Sequence, residues 1–352
     1  MRMCNVVLST EPRGGKGGVA TVIPMYLEVL RKLGKTEFIP THRGGTISGK
    51  VWPWICSFFR SLCVVVKNRD SRVVFHLHPG SGFCLVRMLL LTIFLRFGLN
   101  QQTFVYLHTP YLERYLNDRF WRTVISAIIG SSNRVVVLTK YALHLLEGRG
   151  LSGTARVIPN PYQVSGLKFP VERNLSRGND ITIFTMGRLI DGKGFIETLN
   201  AMSHLPENYR LVIAGDGGLR ERIRELISQL DLENRVTMKG WVFGEAKDAL
   251  FSSANVFCLP SRVDSFGMSF IEAQVNDVPV VAYSHPPVAE VIRPESGVLI
   301  DSTEPAMVAE AIVQANNLNA SIEPGSGRKW VAAKFGEEHI YETLSEVISE
   351  II

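Results

Sequence analysis

The chain has 352 residues, 46% of them hydrophobic and 20% charged, with a formal net charge of +5. That is apolar material for about two domains of roughly 150–200 residues each, which excludes a disordered chain and a small disulfide scaffold. Five cysteines (4, 56, 63, 84 and 258) form no Cys-x-x-Cys pair, and residues 1–8 lack the apolar run of a signal peptide, so a reduced cytosolic compartment is expected.

The charge is uneven. Residues 1–165 hold 21 Lys and Arg against 7 Asp and Glu, and the remainder holds 17 against 26. A basic first half predicts a negatively charged partner: nucleic acid, anionic lipid or a phosphorylated substrate.

Residues 4–9 read as a strand. It runs into Gly14-Gly15-Lys16-Gly17-Gly18, a glycine-rich loop that opens a helix through Leu33 and lets backbone approach a ligand closely. A P-loop would end in Gly-Lys-Ser/Thr, and a dinucleotide fingerprint would put an acid at the end of the next strand. Neither is present, so ATPase and dehydrogenase readings are set aside.

Residues 51–67 and 83–97 are apolar and aromatic with interleaved basic residues. Each falls short of the roughly 20 residues of a bilayer span. Helices packed on a sheet explain part of this pattern. Trp52, Trp54, Phe58 and Phe59 beside Arg60 and Lys67 also suit a bilayer interface, which predicts monotopic membrane contact through the first domain.

Strands are expected at 72–76, 103–107, 134–138 and 155–158. Their carboxyl ends carry His76, His78 and His108, at the edge where an open α/β sheet binds ligands. The same histidines would also serve as caps with no chemistry. A polar stretch with glycine and proline, 163–179, reads as an interdomain linker. A second βα series follows. Its first strand, 181–186, ends in Gly187-Arg188-Leu189-Ile190-Asp191-Gly192-Lys193-Gly194, where Arg188 and Lys193 can clamp a diphosphate. The strand at 211–214 ends in Gly215-Asp216-Gly217. The strand at 236–239 ends in Gly240-Trp241-Val242, where a base can lie against backbone.

The apolar run 256–259 precedes a polar loop and a helix for which Ser265 is the expected N-cap. Asp264 stands at the mouth of that helix and Glu272 about two turns up it. Between them Phe266, Gly267 and Met268 can aim backbone N–H groups at an anion. Hydroxyls at both ends with phosphate between them describes a nucleotide-sugar. Asp264 as a cap and Glu272 as a solvated helix residue is the plainer alternative. A strand at 297–300 and helices at 304–314 and 329–352 complete the chain.

These motifs together resemble the retaining glycosyltransferases of family four, whose GT-B fold has two doubly wound Rossmann-like domains facing across a cleft. The resembling stretches are Gly14 to Gly18, Ile158-Pro159-Asn160, Gly187-Arg188-Leu189 with Lys193-Gly194, Gly215-Asp216-Gly217, and the Asp264…Glu272 pair, whose first member is Glu in the family. The resemblance implies that Arg188 and Lys193 neutralise the donor diphosphate and that Glu272 binds the ribose. It further implies that Asp264 with Ser265 to Met268 holds the sugar and phosphate, that Gly15 and Gly17 approach the same diphosphate, and that His108 lies near the reacting carbon. It implies no cofactor and no metal, the donor being a UDP- or GDP-linked sugar. The expected domains are 1–165 (acceptor and membrane contact), 166–335 (donor) and 336–352, a helix packing back on the first. The expected protein sits on the inner face of the plasma membrane and acts on a lipid-linked saccharide in envelope polysaccharide assembly. A soluble transferase with a small free acceptor and a non-catalytic nucleotide-sugar-binding subunit are the alternatives. No nucleic-acid-binding motif is present.

Overall fold

The computed structural model describes residues 2–12, 17–43, 47–164 and 179–351. The chain divides into two compact units, Met1–Gln163 with Phe335–Ile352, and Val164–Lys334. Most of the stretch 163–179 lies outside the described residues, as does Gly15 with residues 13–16.

The first unit carries a six-stranded parallel sheet: β1 (Arg2–Thr10), β2 (Lys35–His42), β3 (Ser71–Leu77), β4 (Gln102–Leu107), β5 (Arg134–Val137) and β6 (Ala155–Val157), in the order β2-β1-β3-β4-β5-β6. Helices cover both faces of such a sheet, so its strands read as continuous apolar runs; Phe104, Val105, Tyr106 and Leu107 of β4 are all buried. The order reverses between β1 and β3, which sets the ligand crevice at the carboxyl ends of those strands.

The second unit carries β7 (Ile181–Met186), β8 (Tyr209–Ala214), β9 (Val236–Gly240), β10 (Val256–Leu259), β11 (Val280–Tyr283) and β12 (Gly297–Ile300), in the order β12-β11-β10-β7-β8-β9. Read from the β9 edge this is the order 3-2-1-4-5-6 of dinucleotide-binding domains, with its switch point between β7 and β10.

The chain end differs from the single helix expected at 329–352. Two helices form, Ser326–Phe335 and Glu337–Ser349, parted at Gly336, which is extended. The Phe335 carbonyl accepts the Tyr162 N–H at 2.7 Å. The second helix lies along the Gly18–Leu33 helix, with Lys32 3.0 Å from Glu338. Beyond it Glu350 accepts from Arg134 at 2.9 Å and Arg156 at 2.8 Å.

The apolar helix of the first unit is longer than residues 51–67 suggest. It spans Ile47–Lys67, 21 residues, and Ser48–Lys67 is long and apolar enough to cross a membrane by length and composition. One side of it is packed: Trp54 Nε1 donates to the Arg87 carbonyl at 2.9 Å, and the Phe58 ring lies 5.0 Å from Phe94. Trp54 and Phe58 are half-buried against protein on this side of the helix. Trp52 and Phe59, 66% and 68% exposed, point the other way. Ile55, Leu62 and Val66 join them at alternating spacings of three and four, one face of a helix. On the neighbouring Phe83–Ile93 helix and the π-helical turn Phe94–Gly98, the residues Phe83, Leu90, Ile93 and Phe97 are exposed as well.

Candidate active site

In the second unit the loops after β7 and β10 leave neighbouring strands on either side of the switch point. Backbone contacts tie the β7 loop to the loops after β8 and β10. Gly187 N–H donates to the Ala214 carbonyl at 3.0 Å, Leu189 N–H to Asp216 at 3.0 Å, and Arg262 N–H to Gly192 at 2.8 Å. The glycines make these approaches possible. A Cβ on Gly215 would lie 1.9 Å from the Gly187 carbonyl oxygen, and one on Gly194 2.7 Å from the Pro260 carbonyl carbon. Gly215 thus has a packing role that stands beside the ligand role expected from sequence.

The lock presents side chains in pairs. Lys193 Nζ is 2.5 Å from Asp264 Oδ1, and both side chains are mostly buried. The other carboxylate oxygen, Asp264 Oδ2, is buried with no hydrogen-bond partner among the described residues. Arg188 stands exposed at the rim of the same loop. The helix after β10 is Met268–Val275, capped by Gly267 at φ +88°. Ser265 is therefore not its N-cap, and no side chain caps it: the loop needs a left-handed residue at the helix start, and only glycine enters that conformation without strain. A Cβ there would also strike the Phe270 ring at 2.7 Å. Phe266 is buried beneath the loop and Met268 begins the helix.

Glu272 is buried on that helix, and its Oε1 lies 2.7 Å from Lys247 Nζ on the Gly244–Ser253 helix. Sequence reasoning missed Lys247. It belongs to no motif and lies 25 residues from its partner, so no helical or strand spacing connects them. The contact fixes the direction in which the buried Glu272 carboxylate points. After β9, Trp241 and Val242 are half-buried, and the Trp241 ring lies 6.3 Å from Phe243 at 18°, making a flat aromatic face.

In the first unit the expected site residues are Gly17, which caps the Gly18–Leu33 helix, and His108 just past β4. His108 Nε2 is 2.9 Å from His78 Nδ1. Burial pushes the His108 imidazole down to about 3 and lowers that of His78 well below its ordinary value. Both are neutral near pH 7, so His108 offers a hydrogen bond rather than a positive charge. Tyr106 stacks on His78 at 4.1 Å and hydrogen-bonds His76 Nδ1 at 2.9 Å. Tyr26 packs 4.7 Å from His78 and donates to Asn160 Oδ1 at 3.3 Å.

Residues 170–322 match the family model described as glycosyl transferases group 1. The GDP-mannose-dependent alpha-(1-6)-phosphatidylinositol monomannoside mannosyltransferase of Mycobacterium tuberculosis is 25% identical over 212 residues, 56% of this chain and 53% of that protein. Across three curated relatives the chain spans between 33% and 60% of their length. Sucrose-phosphate synthase from Thermosynechococcus elongatus superimposes with a TM-score of 0.79 at 20% identity over 99% of each chain. Anabaena HepE in complex with UDP superimposes with a TM-score of 0.70 at 15% identity over the whole of both chains. These two likenesses establish the fold.

Proposed function

We propose, from the match of residues 170–322 to the glycosyl transferases group 1 model and from the GT-B fold, that the protein transfers a sugar, with retention of configuration, from a nucleoside-diphosphate sugar to a lipid-linked saccharide of the cell envelope. The observation that carries this reading is Asp264, with one oxygen on Lys193 and the other buried at the switch point without a partner among the described residues. An unpaired buried acceptor is costly, and a sugar hydroxyl satisfies it. Relatives that use GDP-mannose or have been solved with UDP support the donor class.

In this reading Glu272, oriented by Lys247, accepts the ribose hydroxyls, and the base lies against Trp241 and Val242. Arg188 and Lys193 face the diphosphate and stabilise the charge that grows on it as the glycosidic bond breaks. No metal is required for that step, since the two cations and the backbone N–H groups at Gly267 and Met268 take the role. Attack from the face of the leaving group lets the departing phosphate accept the proton of the acceptor hydroxyl, so no protein nucleophile is needed. His108 contributes a hydrogen bond to the donor sugar.

The exposed stripe of Trp52, Ile55, Phe59, Leu62 and Val66 supports a place on the membrane face, with the exposed Lys50, Arg60 and Lys67 toward anionic headgroups. It favours a lipid-linked acceptor over a small free one.

A thermal-shift screen against UDP, GDP, ADP and their common sugars, with and without EDTA, tests the donor site. The expected result is stabilisation by one nucleoside diphosphate, unchanged by EDTA and lost in Arg188→Ala. A folded protein that responds to none of them would overturn the proposal.

A further inference from the structure

We propose that His78 is a positioning residue that fixes the tautomer of His108, so that His108 presents a protonated Nδ1 to the ligand and acts only as a hydrogen-bond donor. This rests on the reading of His108 as a residue that meets the donor sugar, and it adds which atom acts and what holds it.

The inference follows from proton counting in one buried network. Asn5 Nδ2 donates to the Leu30 carbonyl at 3.1 Å, which turns Asn5 Oδ1 toward His76 Nε2 at 3.3 Å. Oδ1 can only accept, so His76 carries its proton on Nε2. Its Nδ1 is then an acceptor, and the Tyr106 hydroxyl donates to it at 2.9 Å. Tyr106 is thereby committed away from His78, although its ring stacks on that imidazole.

His78 and His108 share one short contact, Nδ1 to Nε2 at 2.9 Å, and one proton must lie in it. Suppose His108 supplied it. His78 would then carry its own proton on Nε2, which is buried without a partner among the described residues. A buried N–H left unpaired is among the rarest features of folded proteins, whereas an unpaired lone pair is better tolerated. His78 therefore holds its proton on Nδ1 and donates it to His108 Nε2. The remaining proton of the neutral His108 ring sits on Nδ1. Tyr26, 4.7 Å from His78, and Tyr106 on its other side hold the ring plane, so the contact is also fixed in direction.

Among the described residues the rings that face the pair belong to Tyr26, Tyr106 and His76, and all three are neutral. No carboxylate hydrogen-bonds either imidazole among the described residues. His108 is accordingly held apart from general-base chemistry.

The test is a long-range proton–nitrogen correlation spectrum of protein carrying 15N-histidine, with His108→Gln used to assign the His108 signals. The expected spectrum places the His108 proton on Nδ1, and wild-type protein alone decides this. A His108 proton on Nε2 overturns the inference. His78→Asn keeps an N–H donor where Nδ1 stood and should leave the His108 tautomer and the turnover of UDP-glucose or GDP-mannose within about threefold. His78→Phe keeps the stacking and removes the donor; it should lower kcat about tenfold with KM for the donor unchanged. Unaltered kcat in both His78→Phe and His108→Gln would remove His108 from the reaction, whereas kcat lost in His108→Gln but unaltered in His78→Phe would overturn the positioning by His78.

Discussion

Lys193 Nζ sits 2.5 Å from Asp264 Oδ1, joining two residues that sequence motifs assign to different parts of a ligand, the diphosphate and the sugar. The two loops that carry them leave β7 and β10, neighbours only because the strand order reverses there. The site has one electrostatic unit where the motifs suggest two independent contacts.

That pair predicts a coupled loss. With side chains 17% and 14% exposed, removing one member leaves the other charge largely buried, and Asp264→Ala should destabilise the protein by about 3 kcal/mol. Adding Lys193→Ala should recover part of this. Urea denaturation of the two single variants and the double variant measures the coupling, and simple additivity would show that the contact contributes nothing.

Lys247 should behave as a member of the nucleotide site although it belongs to no motif. Lys247→Met strands the Glu272 carboxylate, whose side chain is 5% exposed, at a cost of about 3 kcal/mol. Glu272→Gln in the same background should restore stability but not the thermal shift produced by a nucleoside diphosphate. Restoration of both would place Glu272 outside the ribose contact.

Two glycine substitutions three residues apart should diverge. Gly215→Ala drives a Cβ to 1.9 Å from the Gly187 carbonyl, whereas Gly218→Ala meets nothing within 4 Å. The first should cost about 3 kcal/mol and the second should fall within about 0.5 kcal/mol of the parent. Equal melting temperatures would mean that the β7 and β8 loops are not held in contact.

Replacing Trp52 and Phe59 with serine should move the protein from sedimenting with anionic vesicles to the supernatant, and leave its melting temperature within about a degree or two, since both side chains are exposed. The paired change Trp54→Ser and Phe58→Ser should instead lower stability by about 3 kcal/mol or more, because those rings are packed. Unaltered sedimentation of the first variant would remove the membrane role.

Acid should unfold the first unit through its histidines. His76 and His108 titrate near 3 when folded, through burial, and near 6.5 when unfolded. Below pH 6.5 the unfolded state binds more protons, so the stability they contribute is complete above that pH and is lost as pH falls toward 3. Each adds a slope of up to about 1.4 kcal/mol per pH unit. Stability measured from pH 7 to pH 4 should fall less steeply in His76→Phe than in the parent. Identical slopes would show that His76 is not held neutral.

Repeated βα units and glycine turns are local features, and they were enough to specify two doubly wound domains; the Asp264…Glu272 spacing, equally local, put Arg188, Lys193, Asp264 and Glu272 forward as candidates. Sequence also carried the 3.6-residue pattern of the Ile47–Lys67 helix, but not which side of it meets protein. Trp54 and Phe58 turned inward because the Phe83–Ile93 helix lies beside them, a neighbour that periodicity cannot name. The start of the helix at Met268 was equally hidden, since serine is a good cap in general and only the left-handed turn at Gly267 excludes Ser265. The pairings Lys193 with Asp264, Glu272 with Lys247 and His78 with His108 were decided by tertiary structure alone. Each joins residues 25 to 71 positions apart, and strand order, which no local propensity encodes, is what brings their elements side by side.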